Sequence, residues 1–185
     1  MSGGLWWIEP LPESVTARGI EVPLCTDFRR WILLLGLMED DSVDALGKVS
    51  IALGLVCRQI PENRDPEFRL ALLSEIVRFA ALGKTDGGDV HESGGERLLD
   101  FREDGERIVG SFWQTYGVDL TSVRMHWWVF AACLHALPPD CALGRAVRLR
   151  MTDPSEIGDD VLRRKVRRAR RAVRLGHRGM GQPIR

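Results

Sequence analysis

Met125-His126-Trp127-Trp128-Val129-Phe130-Ala131-Ala132-Cys133-Leu134-His135-Ala136-Leu137 decides the fold class, because His126 and His135 are its only strongly polar side chains. A helix that is apolar nearly all round has no face to offer water and belongs in the middle of a helical bundle. The helix is expected to begin near Asp119 or Thr121 and must stop before Pro138-Pro139, where the backbone loses its donors. The remaining segments read as the shell around it.

Four helices precede this one. The first starts at Thr26, a hydroxyl cap, with Asp27 placing negative charge at the positive dipole end. Trp31, Leu34, Leu35 and Met38 then recur at helical spacing. A second stripe runs Leu46, Val49, Leu53, Val56 and Ile60, after Glu39-Asp40-Asp41-Ser42 breaks the pattern. A third helix spans about Glu67 to Leu82, with Phe68, Leu72, Ile76 and Phe79 on one side and Gly83 as its stop. The fourth runs from about Leu98 to Tyr116, with Phe101, Ile108, Phe112 and Tyr116 on one face, and Gly117 ends it. At the N-terminus, Ser14–Arg18 and Ile20–Leu24 flank Gly19, which can take the positive φ of a tight turn, so a short β-hairpin is expected. Pro23 confines its strand to an edge.

Two helices follow. Cys141 to Met151 is amphipathic, with Arg145, Arg148 and Arg150 interrupting its apolar face. Asp159 to Leu175 keeps only a narrow stripe of Leu162, Val166, Ala169 and Val173 among many arginines. The fold class is therefore mainly α: a bundle of six to seven helices, about 60% helix by periodicity, with one short N-terminal hairpin. Three regions are expected: residues 1–25 with the hairpin, a helical body over 26–160, and a basic helix and tail over 161–185. The five glycines of residues 83–95 mark a mobile surface loop.

The chain has 185 residues, 44% of them hydrophobic, with 26 basic and 26 acidic side chains. The apolar content is enough for a core without disulfides or metal and excludes disorder throughout. The zero net charge conceals an asymmetry: residues 161–185 hold ten basic residues and no acid, so the rest carries a net −10. Cys25, Cys57, Cys133 and Cys141 form no CxxC pair, which fits a reducing, intracellular setting and offers no zinc knuckle. A signal peptide is not expected, and no apolar run approaches the ~20 residues a membrane helix needs.

Candidate chemistry fails residue by residue. Gly83-Lys84-Thr85 looks like the end of a phosphate loop, but Arg78 stands where the first glycine belongs. His91-Glu92 lacks a second histidine four residues on. His126 and His135, nine residues apart, point to opposite sides of a helix and cannot share a metal. His126 reads instead as a core or boundary imidazole with one or two hydrogen bonds. Glu103, Asp104 and Glu106 cluster like paired carboxylates, yet at the start of a helix they more simply complement its dipole. No catalytic residue, metal ligand or cofactor-binding residue is expected, and no enzyme. The basic C-terminal helix is the one feature that asks for a partner. It is read as a solvated helix packed on an acidic body, as an acidic-protein docking site or, more weakly, as a nucleic-acid contact, since it lacks interleaved aromatics for stacking.

The order of landmarks resembles that of the bacteriophage gene product fifteen family. Leu11-Pro12, Gly19 and Thr26-Asp27-Phe28-Arg29 with Trp31 match its opening; Asp100-Phe101 with Asp104, then Phe112 and Tyr116-Gly117-Val118-Asp119-Leu120, match its middle. His126-Trp127-Trp128-Val129-Phe130 matches its aromatic helix, and Leu149-Arg150 the end of the sixth helix. The resemblance implies a tail assembly chaperone of long-tailed phages, non-catalytic, that shields the tape measure protein in the host cytoplasm. It also implies contact with other tail assembly chaperones or tail-tube subunits, and it leaves room for a homo-oligomer and for retention in the virion as a structural component. The client surface is placed on Arg163, Val166, Arg167, Ala169, Arg170, Val173 and Arg174, with no membrane contact. The motif residues themselves, Asp27, Phe28, Trp31, Asp100, Phe101, Asp104, Tyr116, Asp119, His126, Trp127, Trp128 and Phe130, are expected to specify the fold rather than a site.

Overall fold

A computed structural model describes residues 8–60, 65–83 and 97–176. The expected loop over 83–95 falls, apart from Gly83, outside the described residues, as do His91-Glu92 and the last residues of the tail. The described chain is 56% helical, with seven α-helices and one two-stranded antiparallel sheet. The mainly α class with an N-terminal hairpin therefore holds. The chain forms two compact units: Met1–Val90 with Arg124–Ala132, and His91–Val123 with Cys133–Arg185.

The first unit opens with β1 (Ser14–Ala17) and β2 (Ile20–Pro23), joined by Arg18 and Gly19, both at positive φ. Positive φ at both central residues gives a turn whose twist matches that of the strands. Val15 pairs with Val22, and these with Ala17 form the buried face of the hairpin, whose β1 packs against a later helix, α3 (Pro66–Ala80). Helix α1 (Phe28–Met38) is capped by Asp27, whose carboxylate accepts the Arg29 amide. Thr26, the expected cap, instead offers its carbonyl to the Trp127 amide. Helix α2 (Ala45–Val56) buries Ala52, Leu53 and Val56. The five-residue stripe drawn from the sequence is thus corrected: Leu46 is 80% exposed and Ile60 lies beyond the helix, because only the last turns of α2 meet the core. Helix α3 (Pro66–Ala80) buries Phe68, Leu72, Ile76 and Phe79, all four as expected. Asp65 caps it and Pro66 sits in its first turn, where no amide is missed.

Helix α4 (Gly105–Tyr116) begins the helical part of the second unit. The expected start at Leu98 is corrected by seven residues, since the Asp100 carboxylate takes the amides of Arg102 and Glu103 and holds the chain in turns. Helix α5 (Trp127–His135) is likewise shorter than read. Asp119 accepts the Thr121 amide and the hydroxyls of Thr121 and Ser122, which fixes a turn where a helix start was expected. The first turns of α5 bury Trp127, Trp128, Phe130 and Ala131, whereas His135 is exposed, so the core role belongs to its first half. Helix α6 (Ala142–Met151) starts at Cys141, and a 3-10 turn (Pro154–Glu156) leads to α7 (Asp160–Ala172), capped by Asp159. In the second unit α4 and α7 each pack on α6.

Candidate functional site

In the first unit the aromatic motif is consumed by structure. The Trp127 indole N–H donates to the Ala80 carbonyl at 3.0 Å and that of Trp128 to the Phe79 carbonyl at 2.9 Å. These are among the last carbonyls of α3, which no amide of the helix itself can satisfy. Trp31, fully buried, stacks on Phe79 at 4.7 Å and donates its indole N–H to the Cys25 carbonyl. Phe28 stacks on Phe130 at 4.5 Å. His126 lies between Pro12, whose carbonyl takes its Nε2 proton at 3.0 Å, and the Trp128 amide, which donates to Nδ1 at 3.1 Å. Both ring nitrogens are thus occupied by the backbone. Burial pushes the imidazole below its usual pKa against the opposing pull of the Pro12 carbonyl and Glu13, so the ring is neutral. Cys57 is pushed up to about 11 by burial and by Cys25, which leaves an inert thiol. No cluster of metal-ligating side chains exists among the described residues.

In the second unit Asp104 and Arg150 form a pair that sequence reasoning named singly and never joined. Both are buried, and the guanidinium grips the carboxylate at 2.7 and 2.8 Å. Arg150 spends its other donors on the carbonyls of Leu98 and Val173, while Arg107 adds a third bond to Asp104. Burial raises the Asp104 pKa, but the Arg150 hydrogen bonds, the Asp100 amide, the Arg150 charge and the Arg107 hydrogen bond outweigh it and leave it below the usual carboxylate range. Asp104 stands at the N-cap position of α4, but its side chain makes no capping hydrogen bond there, and Glu106 of the acidic cluster lies in the first turn. Tyr116 donates its hydroxyl to the Cys133 carbonyl, and Phe101 is half-buried. Ser111, fully buried, accepts the Leu143 amide at 3.1 Å and so satisfies a free donor of the first turn of α6.

Solvent-facing chemistry concentrates on α7. None of its residues is buried. Val166, Ala169 and Val173 are half-buried and Leu162 is 50% exposed, so the stripe is only partly covered. Arg163 is tied locally, to Asp160 at 2.6 Å and to the Ile157 carbonyl. Arg167, Arg170, Arg171 and Arg174 instead converge with Asp153, Pro154 and Ser155 on an open cleft of about 450 Å³ whose floor includes Arg150. Three of the seven residues placed on the client surface, Arg167, Arg170 and Arg174, line this cleft, and Arg171 joins them. Among the described residues Arg167, Arg171 and Arg174 have no carboxylate within 4 Å. The Ser155 amide and hydroxyl hold the Asp153 carboxyl below its usual range, with the Arg170 and Arg167 charges adding to them. The family model described as Bacteriophage Gp15 protein matches residues 7–175. No curated protein and no solved structure matches the chain.

Proposed function

Since the chain belongs to the bacteriophage Gp15 protein family and is thus a phage-related protein, we propose that it is a non-catalytic tail assembly chaperone that binds and shields the tape measure protein until the tail tube is built. The observation that supports this reading is the character of α7: a helix with no buried residue, a partly covered apolar stripe and an arginine face beside it. A long helical client exposes apolar stripes before assembly and aggregates unless a complementary surface covers them. Apolar contact supplies the affinity of such a pairing, and charge sets its orientation. The buried Asp104 and Ser111 and the half-buried His126 support a non-catalytic role, because their hydrogen bonds are already made within the fold. A general base needs a lone pair within reach of a substrate, and these groups have theirs turned inward.

Co-expression tests the reading. The full chain is expected to keep the tape measure protein in the soluble fraction. The variant Leu162→Ser with Val166→Ser is expected to fold with an unchanged helical signal, since neither side chain is buried, and to leave the client in the pellet. A client equally insoluble with and without the full chain overturns the proposal.

A further inference from the structure

We propose that the outer face of α2 is the interface of a homodimer, in which the α2 helices of two copies pack antiparallel across a two-fold axis. The proposal goes beyond the chaperone reading, since α7 takes no part in it. Helix α2 has one charged side chain, Lys48, and its ammonium is turned to the Met38 carbonyl at 2.9 Å. A helix this apolar belongs where neighbours cover several of its sides. Yet only Ala52, Leu53 and Val56 are buried, and at about 100° per residue these three share one side. The opposite side carries Leu46, Gly47, Ser50, Ile51, Gly54 and Leu55 without a charge among them. Leu46 is 80% exposed and Ile51 45%. Water covers this face in a single copy, at the cost that exposed apolar surface carries.

The face matches itself. Leu46-Gly47 at one end returns in reverse as Gly54-Leu55 at the other, with Ser50 and Ile51 on either side of the midpoint. A two-fold axis at that midpoint sets Gly47 of one copy level with Gly54 of the second copy. It also sets Ile51 beside Ile51 and Ser50 beside Ser50, which is the self-complementarity an isologous contact demands. The two glycines lie along the middle of the face, so two backbones can approach closely there. Nothing within the chain asks for glycine at position 54, because a Cβ there would meet nothing within 4 Å, and glycine inside a helix weakens it. The ends of the helix are complementary in charge. Asp44, exposed, caps the N-terminus, and Arg58, exposed beyond the C-terminus, reaches Glu13 at 3.4 Å with donors to spare. Antiparallel packing brings the Asp44 end of each copy to the Arg58 end of the other and sets opposite dipole ends side by side. A contact limited to three turns of helix is smaller than the ~800 Å² per partner of a standard interface, so the dimer is expected to be weak.

Sedimentation velocity on the full chain from about 5 to 500 µM reads the association. The parent is expected to pass from monomer to dimer over that range and to form nothing larger, because an isologous contact closes on itself. Ser50→Lys and Ser50→Glu each place like charges beside the axis. Each is expected to weaken the dimer by at least about tenfold, with circular dichroism unchanged because Ser50 is exposed. Mixed one to one, the two variants are expected to dimerise again, Lys against Glu. Gly54→Gln serves if either variant loses helical signal: its side chain has open room in the monomer and holds the two helices apart. A parent that stays monomeric, a parent that grows beyond the dimer, a dimer indifferent to these variants, or a mixture that stays monomeric overturns the proposal. Loss of client rescue with the dimer intact strikes the chaperone reading alone, so the two are told apart.

Discussion

Asp104 and Arg150 show how much one residue pair can carry in a small unit. Removing one partner leaves the other charged, buried and unpaired. Asp104→Asn, which keeps the shape, is therefore expected to destabilise the protein by about 3–5 kcal/mol, read as a lower urea midpoint with the slope unchanged. The pair also sets an acid limit. The folded Asp104 pKa is depressed, so its stabilisation is present above the unfolded value, near 3.9, and is lost as pH falls through the folded value. The gap between the parent and Asp104→Asn should accordingly shrink below about pH 4. His126 acts earlier. Its folded pKa lies below the unfolded value of about 6.5, so the unfolded chain binds more protons as pH drops from there, and stability falls with it. Protonation also removes the Nδ1 lone pair that accepts the Trp128 amide. His126→Gln should flatten the stability profile as pH falls below about 6.5, measured by thermal melts at matched ionic strength. The hydrogen-bonded, half-buried His126 was legible in the sequence, whereas the Asp104–Arg150 pair was not. Asp104 and Arg150 are 46 residues apart, and each had a sufficient local explanation, as a dipole complement and as an interruption of an apolar face.

At the scale of the elements, legibility follows whether the signal is local. Helix α3 was read almost whole, at Glu67 to Leu82 against Pro66–Ala80, because Phe68, Leu72, Ile76 and Phe79 all lie within its own span. The starts of α4 and α5 were not, because Asp100 and Asp119 capture nearby amides, and a side chain that competes with the helix ladder resembles a cap when only its spacing is visible. The arginine cleft was half legible: the sequence marks α7 as basic, but only the fold brings Asp153 and Ser155 opposite it. Helix α6 carries a constraint of the same non-local kind. A Cβ added at Gly144 would sit 2.6 Å from the Pro138 carbonyl oxygen and 2.8 Å from the Pro139 backbone. The Pro138-Pro139 segment passes that close only because nothing projects there. Gly144→Ala should force the two apart and destabilise by about 1–3 kcal/mol, against a stabilisation of about 0.5–1 kcal/mol for Gly110→Ala, which lies inside α4 and meets nothing within 4 Å. Thermal melts of the two variants side by side check this.

Taken as a whole molecule, the chain completes its first unit with residues that are distant in sequence. Arg124–Ala132 supplies the two indoles on the carbonyls of α3, the Phe130 ring against Phe28, and the backbone that pairs with Thr26 and Phe28. A fragment ending at Val90 lacks all of these and should show no cooperative melt, whereas adding a synthetic peptide of residues 124–132 in excess should restore near-ultraviolet circular dichroism. The same arrangement bears on how the protein is made. On the ribosome the first ninety residues emerge with an aromatic-lined hollow that nothing yet fills. At translation speeds of about 5–20 residues per second the missing strand of aromatics arrives roughly 2–8 s later. Through that interval the nascent chain has Trp31 on Phe79 but neither Trp127 against Trp31 nor Phe130 against Phe28, so the apolar faces those two rings cover stay open to water and to other chains.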